Sequence, residues 1–377
     1  MIIKVLNIIT DSNIGGAGKV LINFMKYTNR AMFDHTIIVP KGAMLSPKLR
    51  ELDVCVVEMD GISEKSFAMN AIGALKREIG HIAPDIVHTH ASVSARIAAR
   101  GKCVVIHTRH SAYPQGKLKT SFPVKQMLGY LNNHLSDVII AISPAVRENL
   151  TETGTDPRKI ITMLNGVDAV RRLSEDEKKA GRGSLGIADD DFVCSITARL
   201  VPEKGHVYVL EAADMLRDLP VRFIIAGTGP VGDELRNTAA ARGLTSCVFT
   251  GFLDDVTMIN NITDLQINAS YGTEASSLAL LEGMSLGIHA VVSDFGGNPY
   301  HITEGENGLI VPKRDGTALA NAIRRLYEEP DTLARMGAST LEIYQKHFTA
   351  EVMTANIEGV YLDVVFGGQN GKQCKKN

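Results

Sequence analysis

The stretch Ser270-Tyr-Gly-Thr-Glu-Ala-Ser-Ser-Leu-Ala-Leu-Leu-Glu-Gly-Met-Ser-Leu-Gly287 contains two glutamates, Glu274 and Glu282, with seven residues between them. It follows an apolar run that predicts a β-strand, and its own pattern predicts a helix that opens at about Ser276. Glu274 would precede the first helical turn and Glu282 would lie roughly two turns in. The helix N-terminus would offer unpaired amides suited to a diphosphate, those of Ser276, Ser277 and Leu278.

A carboxylate on each side of such a helix start can hold hydroxyl groups of a sugar and of a ribose, because ionised oxygens accept hydrogen bonds strongly. The same two residues also have a purely structural interpretation. Glu274 would then only cap the helix, and Glu282 would lie on its solvated face.

Outward from this stretch, short β-branched runs alternate with longer helical patterns. In the first half the predicted strands are Ile2–Ile9, His35–Val39, Val54–Val57, Asp85–His88, Cys103–His107, Asp137–Ala141 and Ile160–Met163. In the second half they are Phe192–Thr197, Val221–Ala226, Cys247–Thr250, Asp264–Asn268, His289–Ser293 and Gly308–Val311. This alternation predicts two doubly wound α/β domains with parallel sheets, whose ligand crevice lies where the carboxyl ends of the strands face each other.

The predicted domain boundaries follow from this rhythm and from the chain length of 377 residues. We expect an N-terminal domain over 1–168 and a C-terminal domain over 169–348, with a helix at about 349–366 packing back on the first. The polar segment Arg171–Gly186 is the best linker candidate, and we expect the tail 367–377 to be disordered.

Composition narrows the class of protein further. Hydrophobic residues make up 45% and the net charge is −2, which favours a globular protein and gives no global argument for nucleic acid or membrane. The five cysteines form no CxxC pair, and four lie in or beside apolar runs, which predicts buried free thiols in a reducing cytosol. The run Ile2–Thr10 is too short to span a bilayer and lacks the features of a signal peptide.

Several further motifs stand at strand ends, and together with the Glu-x7-Glu stretch they carry a resemblance. They are Gly15-Gly-Ala17, Asp85-Ile-Val-His-Thr-His90, His110, Ala141-Ile-Ser-Pro-Ala-Val-Arg147, Asn165-Gly-Val-Asp168, Arg199-Leu-Val-Pro-Glu-Lys-Gly205, Gly227-Thr-Gly-Pro230, Gly251-Phe-Leu253 and Gly296-Gly-Asn-Pro299. Each motif is weak alone, but their order and placement over nearly the whole chain are specific. The chain resembles the retaining glycosyltransferases of family 4, also called group 1, which have the GT-B fold.

The resemblance implies a role for individual residues. Arg199 and Lys204 would neutralise the leaving diphosphate, although they could also be solvated charges of a loop. Glu282 would bind the ribose, and Glu274 the donor sugar together with the amides that follow it. The remaining implied positions are Phe252 and Leu253 at the base, Gly15 and Gly16 at a phosphate or the acceptor, His110 at the donor sugar, and His90, Arg109 and Tyr113 at the acceptor.

Three positions depart from the family pattern: Ala275 replaces a usual Gly, His289 a usual Pro, and Tyr300 a frequent Glu. The first two are tolerable, whereas Tyr300 bears on donor-sugar identity. A catalytically silent sugar-nucleotide-binding or scaffold protein therefore stays open as an alternative. A GT-B epimerase is a second alternative, while a phosphorylase would need a pyridoxal-phosphate lysine region that we do not find.

Two other readings are less favoured. Gly227-Thr-Gly-Pro-Val-Gly232 matches a nicotinamide-binding pattern, but it follows the second strand of its domain and lacks the acidic residue about 20 positions on. His88 and His90 could form a metal pair, but without a nearby Asp, Glu or Cys they are better explained as polar strand-end residues.

A final feature is the uneven distribution of acidic and basic residues along the chain. No acidic residue lies between Asp85 and Asp137, a stretch that holds seven Lys or Arg residues, and the part Lys117–Asn133 mixes bases with apolar residues. These side chains could scatter over several faces, or they could form a surface for an anionic membrane or a phosphate-bearing acceptor.

The resemblance therefore implies a retaining, metal-independent enzyme without a cofactor, which transfers a hexose-type sugar from a UDP-sugar or a similar donor. The resemblance implies a sugar or lipid-linked acceptor in cell-surface polysaccharide or glycolipid assembly. We expect a cytoplasmic location, with the membrane association through 117–133 at the inner face, and no nucleic-acid partner.

Overall fold

The computed structural model describes residues 2–64 and 66–367. The chain forms two compact units: unit 1 comprises Met1–Gly166 with Ala350–Asn377, and unit 2 comprises Val167–Thr349. The division at Gly166 and Val167 lies close to the predicted boundary at 168. The segment 368–377, most of the predicted disordered tail, lies outside the described residues.

Unit 1 contains one seven-stranded sheet in which all strands are parallel, in the order β3-β2-β1-β4-β5-β6-β7. Its strands are β1 Ile3–Ile9, β2 Phe33–Pro40, β3 Cys55–Met59, β4 Ile86–His90, β5 Val104–Arg109, β6 Val138–Ala141 and β7 Ile160–Thr162. The order reverses between β1 and β4, which is the switch point where doubly wound folds bind their ligands.

The helices of unit 1 lie between these strands, and one returns from the C-terminal end of the chain. They are α1 Gly16–Tyr27, α2 Leu45–Arg50, α3 Met69–Ile82, α4 Val93–Ala99, α5 Lys117–Thr120, α6 Val124–Leu135, α7 Pro144–Glu152 and, at the far end of the chain, α15 Ala350–Leu362. Helix α15 packs beside α1 within unit 1, where the sequence predicts a returning helix at about 349–366.

Unit 2 contains a six-stranded parallel sheet in the order β10-β9-β8-β11-β12-β13. Its strands are β8 Phe192–Thr197, β9 Val221–Ala226, β10 Cys247–Gly251, β11 Leu265–Asn268, β12 Ala290–Ser293 and β13 Gly308–Val311. Its helices are α8 Glu175–Ser184, α9 His206–Met215, α10 Gly232–Ala241, α11 Thr257–Ile262, α12 Leu278–Met284, α13 Gly316–Glu328 and α14 Pro330–His347. All thirteen predicted strands are present, and their order confirms two doubly wound domains.

Each unit has its own core, because the central strands are apolar on both faces and helices cover both. In unit 1, Leu6 and Ile8 of β1 are fully buried together with Leu75 of α3. In unit 2, Ile196 of β8 and Ile225 of β9 are buried with Ile323 of α13. Strands that are buried on both sides read as near-continuous apolar runs, which is why the sequence marks them clearly.

The predicted linker is wrong. Ser174 caps α8 with its side chain accepting from the Glu177 amide, while the Glu177 carboxylate accepts from the Ser174 amide, so most of Arg171–Gly186 is a helix of unit 2. Only Gly181 of α8 is buried, so the helix has too few apolar residues to show a periodic pattern.

The thiols also differ from expectation. Cys194 is buried and burial raises its pKa well above the ordinary value, but Cys55 is exposed, and Cys374 lies outside the described residues. Cys103 and Cys247 are half-buried, and all four described cysteines are free. Within residues 2–64 and 66–367, no helix is both long enough and apolar enough to cross a membrane.

Candidate functional site

In unit 2, the loops that follow β8 and β9 are fastened to each other by backbone contacts. The amide of Leu200 donates to the carbonyl of Thr228 over 2.9 Å. A Cβ on Gly227 would lie 2.0 Å from the Ala198 oxygen, and one on Gly229 would lie 2.3 Å from the Leu200 oxygen. The glycines of the nicotinamide-like pattern are therefore required by close packing of these loops, and they hold the Arg199–Gly205 segment in place.

The next segment of this edge is the turn at Gly205, between Lys204 and α9. Gly205 has φ +72°, and a Cβ there would lie 2.1 Å from the Ala269 oxygen at the end of β11. The amide of Tyr271 donates to the carbonyl of Glu203 over 2.8 Å. The loops that follow β8 and β11 therefore lie side by side, which brings Lys204 to the Glu274 stretch.

Glu274 is buried, with 6% of its surface exposed, and its Oε2 accepts three hydrogen bonds. The donors are Lys204 Nζ at 2.8 Å, Asn268 Nδ2 at 3.1 Å and Ser270 Oγ at 3.2 Å. Burial raises the pKa of Glu274, but the charge and hydrogen bond of Lys204 outweigh this and the net shift is downward. The carboxylate therefore stays ionised, and no described residue bonds its Oε1.

Helix α12 begins two residues later than predicted. Ser277 is its N-cap, and the Ser277 hydroxyl accepts from the Leu280 amide. The helix start therefore keeps the predicted amide of Leu278 and adds that of Ala279, with Ser277 as the cap. Ser276 lies before the cap, and its hydroxyl contacts Nε2 of the buried His301 over 3.1 Å.

The segment that follows β12 supports Glu274 from the other side. The amide of Gly297 donates to the carbonyl of Glu274 over 3.0 Å. A Cβ on Gly296 would lie 2.2 Å from that same oxygen, so the two glycines permit a backbone approach that no other residue would allow. Asn298 is fully buried and donates to Ser293 Oγ over 3.0 Å, while Tyr300, which replaces the usual Glu, is 41% exposed.

The other predicted donor residues of unit 2 also lie at the carboxyl edge of the sheet. Arg199 is exposed, and no side chain of the described residues pairs with its guanidinium. After β10, the Phe252 ring is 69% exposed, whereas Leu253 packs against the core around Ile224. Glu282 is half-buried on α12, one turn beyond Leu278 and on the same face.

In unit 1, the predicted glycines lie at the start of α1. Gly15 is the N-cap without a side-chain cap, and both Gly15 and Gly16 are exposed. A Cβ on Gly15 would meet only Asp11 Oδ2, at 3.8 Å, so the packing of the unit does not require glycine there.

The predicted residues at the ends of β4 and β5 are brought together in part. His90 Nδ1 lies 2.9 Å from His110 Nε2, and the two rings stack at 5.2 Å. Arg109 is half-buried and donates through Nε to the Ser111 carbonyl over 3.2 Å. Tyr113 is 48% exposed, and its amide is fixed by Asn149 Oδ1 at 2.8 Å.

Sequence reasoning missed the partners that hold these groups. Asn268 and Ser270 orient Glu274, and His301 contacts the segment before α12. Their only sequence signal is their position at a strand end or after the Gly-Gly-Asn-Pro motif. In the part of the chain that the structure describes, no cluster of three His, Cys, Asp or Glu side chains has metal-binding geometry.

With this geometry established, comparison with known proteins identifies the class. The model of the family "Glycosyl transferases group 1" matches residues 177–342, and that of "Glycosyltransferase Family 4" matches residues 14–171. The chain belongs to the group 1, family 4 glycosyltransferases, and its two Rossmann-like units have the GT-B fold.

Individual relatives share less than a third of their residues with this chain. The UDP-Gal:alpha-D-GlcNAc-diphosphoundecaprenol alpha-1,3-galactosyltransferase of Escherichia coli is 28% identical, over 74% of this chain and 76% of its own. The alpha-monoglucosyldiacylglycerol synthase of Acholeplasma laidlawii is 24% identical, over 80% of both chains. Among solved structures, Anabaena Alr3699/HepE in complex with UDP and glucose has a TM-score of 0.82 at 20% identity, over 95% of this chain and 99% of that one.

Proposed function

We propose that this glycosyltransferase transfers a hexose from a UDP-sugar or a similar nucleoside-diphosphate sugar, with retention of the anomeric configuration and without a metal ion. The observation that carries the proposal is the ionised Glu274, held through Oε2 by Lys204, Asn268 and Ser270, with Oε1 open beside the N-terminus of α12. A fixed carboxylate next to helix amides suits a ligand that joins a hydroxyl-bearing sugar to a diphosphate.

Each end of the donor has a complementary group in unit 2. The amides of Leu278 and Ala279 and the unpaired guanidinium of Arg199 would stabilise the charge that grows on the leaving diphosphate. Lys204 uses two of its three N–H groups on the Thr273 carbonyl and Glu274, so it contributes its charge and its remaining donor. Glu282 would bind the ribose, and Phe252 with Leu253 would flank the base.

In this mechanism the acceptor hydroxyl attacks the anomeric carbon on the face from which the diphosphate departs. The carbon–oxygen bond to the diphosphate breaks, and the acceptor proton passes to the leaving phosphate oxygen. His110 would contact the donor sugar. Positive charge from Arg199, Lys204 and the helix start takes the place of a cation.

Two measurements test the proposal. We expect nucleotide release over a panel of UDP-, GDP- and ADP-sugars to show turnover that survives a metal chelator. In calorimetry, Arg199→Ala and Glu282→Ala should each weaken nucleotide binding about 10-fold or more. The exposed control substitutions Arg335→Ala and Glu342→Ala on α14 should leave binding unchanged. Binding without turnover for any donor would favour a silent sugar-nucleotide-binding protein instead.

We further propose that the acceptor is carried on a lipid, in polysaccharide or glycolipid assembly, and that the enzyme works at the inner face of the membrane. The names of the two relatives, which specify a diphosphoundecaprenol-linked sugar and a diacylglycerol, support such an acceptor. The surface formed by α5 and α6, Lys117–Leu135, supports the location.

That surface has its apolar side chains on the outside. The one buried residue of α6 is Gly129, where a Cβ would lie 2.3 Å from the Gly154 oxygen. The exposed fractions of the outward side chains are 75% for Leu118, 82% for Phe122, 56% for Met127 and 61% for Tyr130. Lys117 and Lys119 are exposed and Lys125 is half-buried, with no acidic residue between Asp85 and Asp137. Apolar side chains among unopposed lysines fit an anionic bilayer.

A further inference from the structure

Three histidine rings form a column at the carboxyl ends of β4 and β5. His88 and His90 alternate along β4, so their side chains share one face of the sheet, and their ring centroids are 4.6 Å apart. The register pairs His90 with Thr108 on the neighbouring strand, which places His110 just beyond β5 and beside His90. The column is therefore a consequence of strand register.

Four of the six ring nitrogens in this column have partners. His88 contacts the Tyr361 hydroxyl through Nδ1 and Thr108 Oγ1 through Nε2, both at 2.7 Å. His90 Nδ1 and His110 Nε2 contact each other at 2.9 Å. His90 Nε2 is buried without a partner among the described residues, and His110 Nδ1 makes no hydrogen bond to them.

The column is fixed from below by the C-terminal helix. Tyr361 of α15 is fully buried, and its ring packs against Phe24 and Phe33 in edge-to-face contacts. Above it, His90 and His110 line a small pocket. The walls are mainly apolar, and the polar side chains that line them besides the histidines are Thr108, which contacts His88, and Asn165.

This setting keeps the rings neutral. Burial lowers the pKa of His88 to about 3 and that of His110 to about 4, and it lowers the pKa of His90 well below the ordinary value. Arg109 adds to the shift of His110, and a proton on His88, His110 or His107 would disfavour a second positive charge on His90. Each ring therefore carries one proton near neutral pH.

A contact of 2.9 Å between two ring nitrogens requires one donor and one acceptor. If His90 Nδ1 carries its proton, His110 Nε2 must be bare and His110 carries its proton on Nδ1. If His110 Nε2 carries the proton, His90 Nδ1 must be bare and His90 carries its proton on Nε2. In both arrangements the two rings are the same tautomer, and a mixed pair would set donor against donor or acceptor against acceptor.

We infer that His90 is a positioning residue for His110: it holds the His110 ring in place and couples its tautomer to its own, so that Nδ1 is the atom His110 presents to a sugar hydroxyl. The inference rests on the proposed function, because the contact of His110 with the donor sugar is itself proposed. It assigns His90 to the support of His110, where the sequence predicted an acceptor contact.

The decisive measurement is nitrogen NMR of the histidine rings in the ligand-free protein. We expect His90 and His110 to be neutral near pH 7 and to show the same tautomer. In His90→Phe, which keeps an aromatic ring but removes the nitrogens, His110 should show a mixture of both tautomers. His90→Asn, whose side-chain amide can reach the place of Nδ1, should restore a single tautomer. The exposed control His81→Phe on α3 should change neither signal.

Kinetic measurements on the same variants distinguish the coupling of His90 to His110 from the proposed contact of His110 with the sugar. We expect His90→Phe to lower kcat roughly tenfold with little change in the donor KM, and His90→Asn to recover most of it. Different tautomers on the two rings of the wild-type protein, or a charged ring near pH 7, would overturn the inference without any variant. Loss of tautomer control in His90→Phe with an unchanged kcat would keep the coupling and overturn the proposed sugar contact of His110.

Discussion

The carboxylate of Glu274 has a structural contact on one oxygen and a proposed ligand contact on the other. Its Oε2 is occupied by three donors, while Oε1 stays open to a ligand. Lys204 is only 17% exposed, so the ion pair is largely removed from water and each charge depends on the other. The capping interpretation of Glu274 is wrong, because Ser277 caps α12, whereas the proposed sugar contact is compatible with the ion pair because it would use the other carboxylate oxygen.

The pair can be tested by a double-mutant cycle. Glu274→Gln leaves the Lys204 charge buried without its partner, and we expect it to cost about 3–5 kcal/mol in the free energy of unfolding. Lys204→Met should cost a similar amount, because it leaves Glu274 ionised and buried. The double variant should lose clearly less than the sum of the two, as urea unfolding would show. Additive losses would mean that the two side chains are not coupled.

The same pair predicts a pH dependence. The pKa of Glu274 is lowered in the folded protein from an ordinary value of 4.5. Its contribution to stability is therefore fully present above pH 4.5 and is lost as the pH falls through the lower folded-state pKa. When the free energy of unfolding is measured as a function of pH, Glu274→Gln should depend less steeply on pH below 4.5 than the wild-type protein does. An unchanged profile would show that Glu274 does not titrate with unfolding.

At the scale of elements, the strands and glycine turns carry the site. In unit 2, Arg199, Phe252 and Glu274 lie in loops that follow the carboxyl ends of strands, and glycines set the distances between neighbouring loops. Gly205 combines φ +72° with a Cβ position 2.1 Å from the Ala269 oxygen. Gly243, between α10 and β10, has a similar φ of +63° but no atom within 4 Å of its Cβ position.

These two glycines form a matched pair for a test of close packing. Gly243→Ala should cost about 1–2 kcal/mol from the left-handed backbone alone. Gly205→Ala should cost clearly more, because its methyl group must displace the end of β11, and it should also weaken donor binding by moving Lys204. Chemical unfolding and calorimetry on both variants measure the difference. Equal costs would show that the Gly205 turn tolerates a side chain.

The central strands were predictable because they are buried on both faces, and the edge strands because they are rich in β-branched residues, so in both cases the signal is local. Helix α8 was not predicted because it lacks an apolar face, although Ser174 and Glu177 form a recognisable capping box. The start of α12 was misplaced because Ser276 and Ser277 are both good N-cap residues. Only the hydrogen bond from the Leu280 amide to the Ser277 hydroxyl shows which of the two is the cap. The histidine column was beyond prediction because it depends on the register of β4 and β5.

At the scale of the whole molecule, the placement of charge matters more than its sum. The chain carries 40 Lys and Arg against 42 Asp and Glu, so its net charge does not attract it to an anionic surface. Not all bases of the acid-free stretch face solvent, because Arg96 is 96% buried and donates to Asn132 Oδ1 at 3.1 Å. The lysines beside Leu118 and Phe122 do face solvent, and the positive electrostatic field that they create is local to the α5–α6 surface.

The proposed membrane contact predicts binding with two separable components. Replacing Lys117, Lys119 and Lys125 with Gln should lower the partitioning onto vesicles containing anionic lipid roughly 100-fold, at about 1 kcal/mol per lysine. Wild-type binding should also fall as salt rises, because dissolved ions screen the attraction between surface charges and limit its range to ~8 Å at physiological ionic strength. Leu118→Ser with Phe122→Ser should remove the part of the binding that persists in high salt.

The matched control replaces Lys26, Lys41 and Lys48 with Gln, since these three are exposed on the same unit but outside the α5–α6 surface. It removes the same total charge, so it should leave vesicle binding close to that of the wild type if the local field is responsible. Donor hydrolysis in solution should be the same in all of these variants, because it needs no membrane acceptor. Equal losses for the two lysine triples would show that net charge alone governs binding, and vesicle binding indifferent to salt and to every substitution would remove the membrane contact from the proposal.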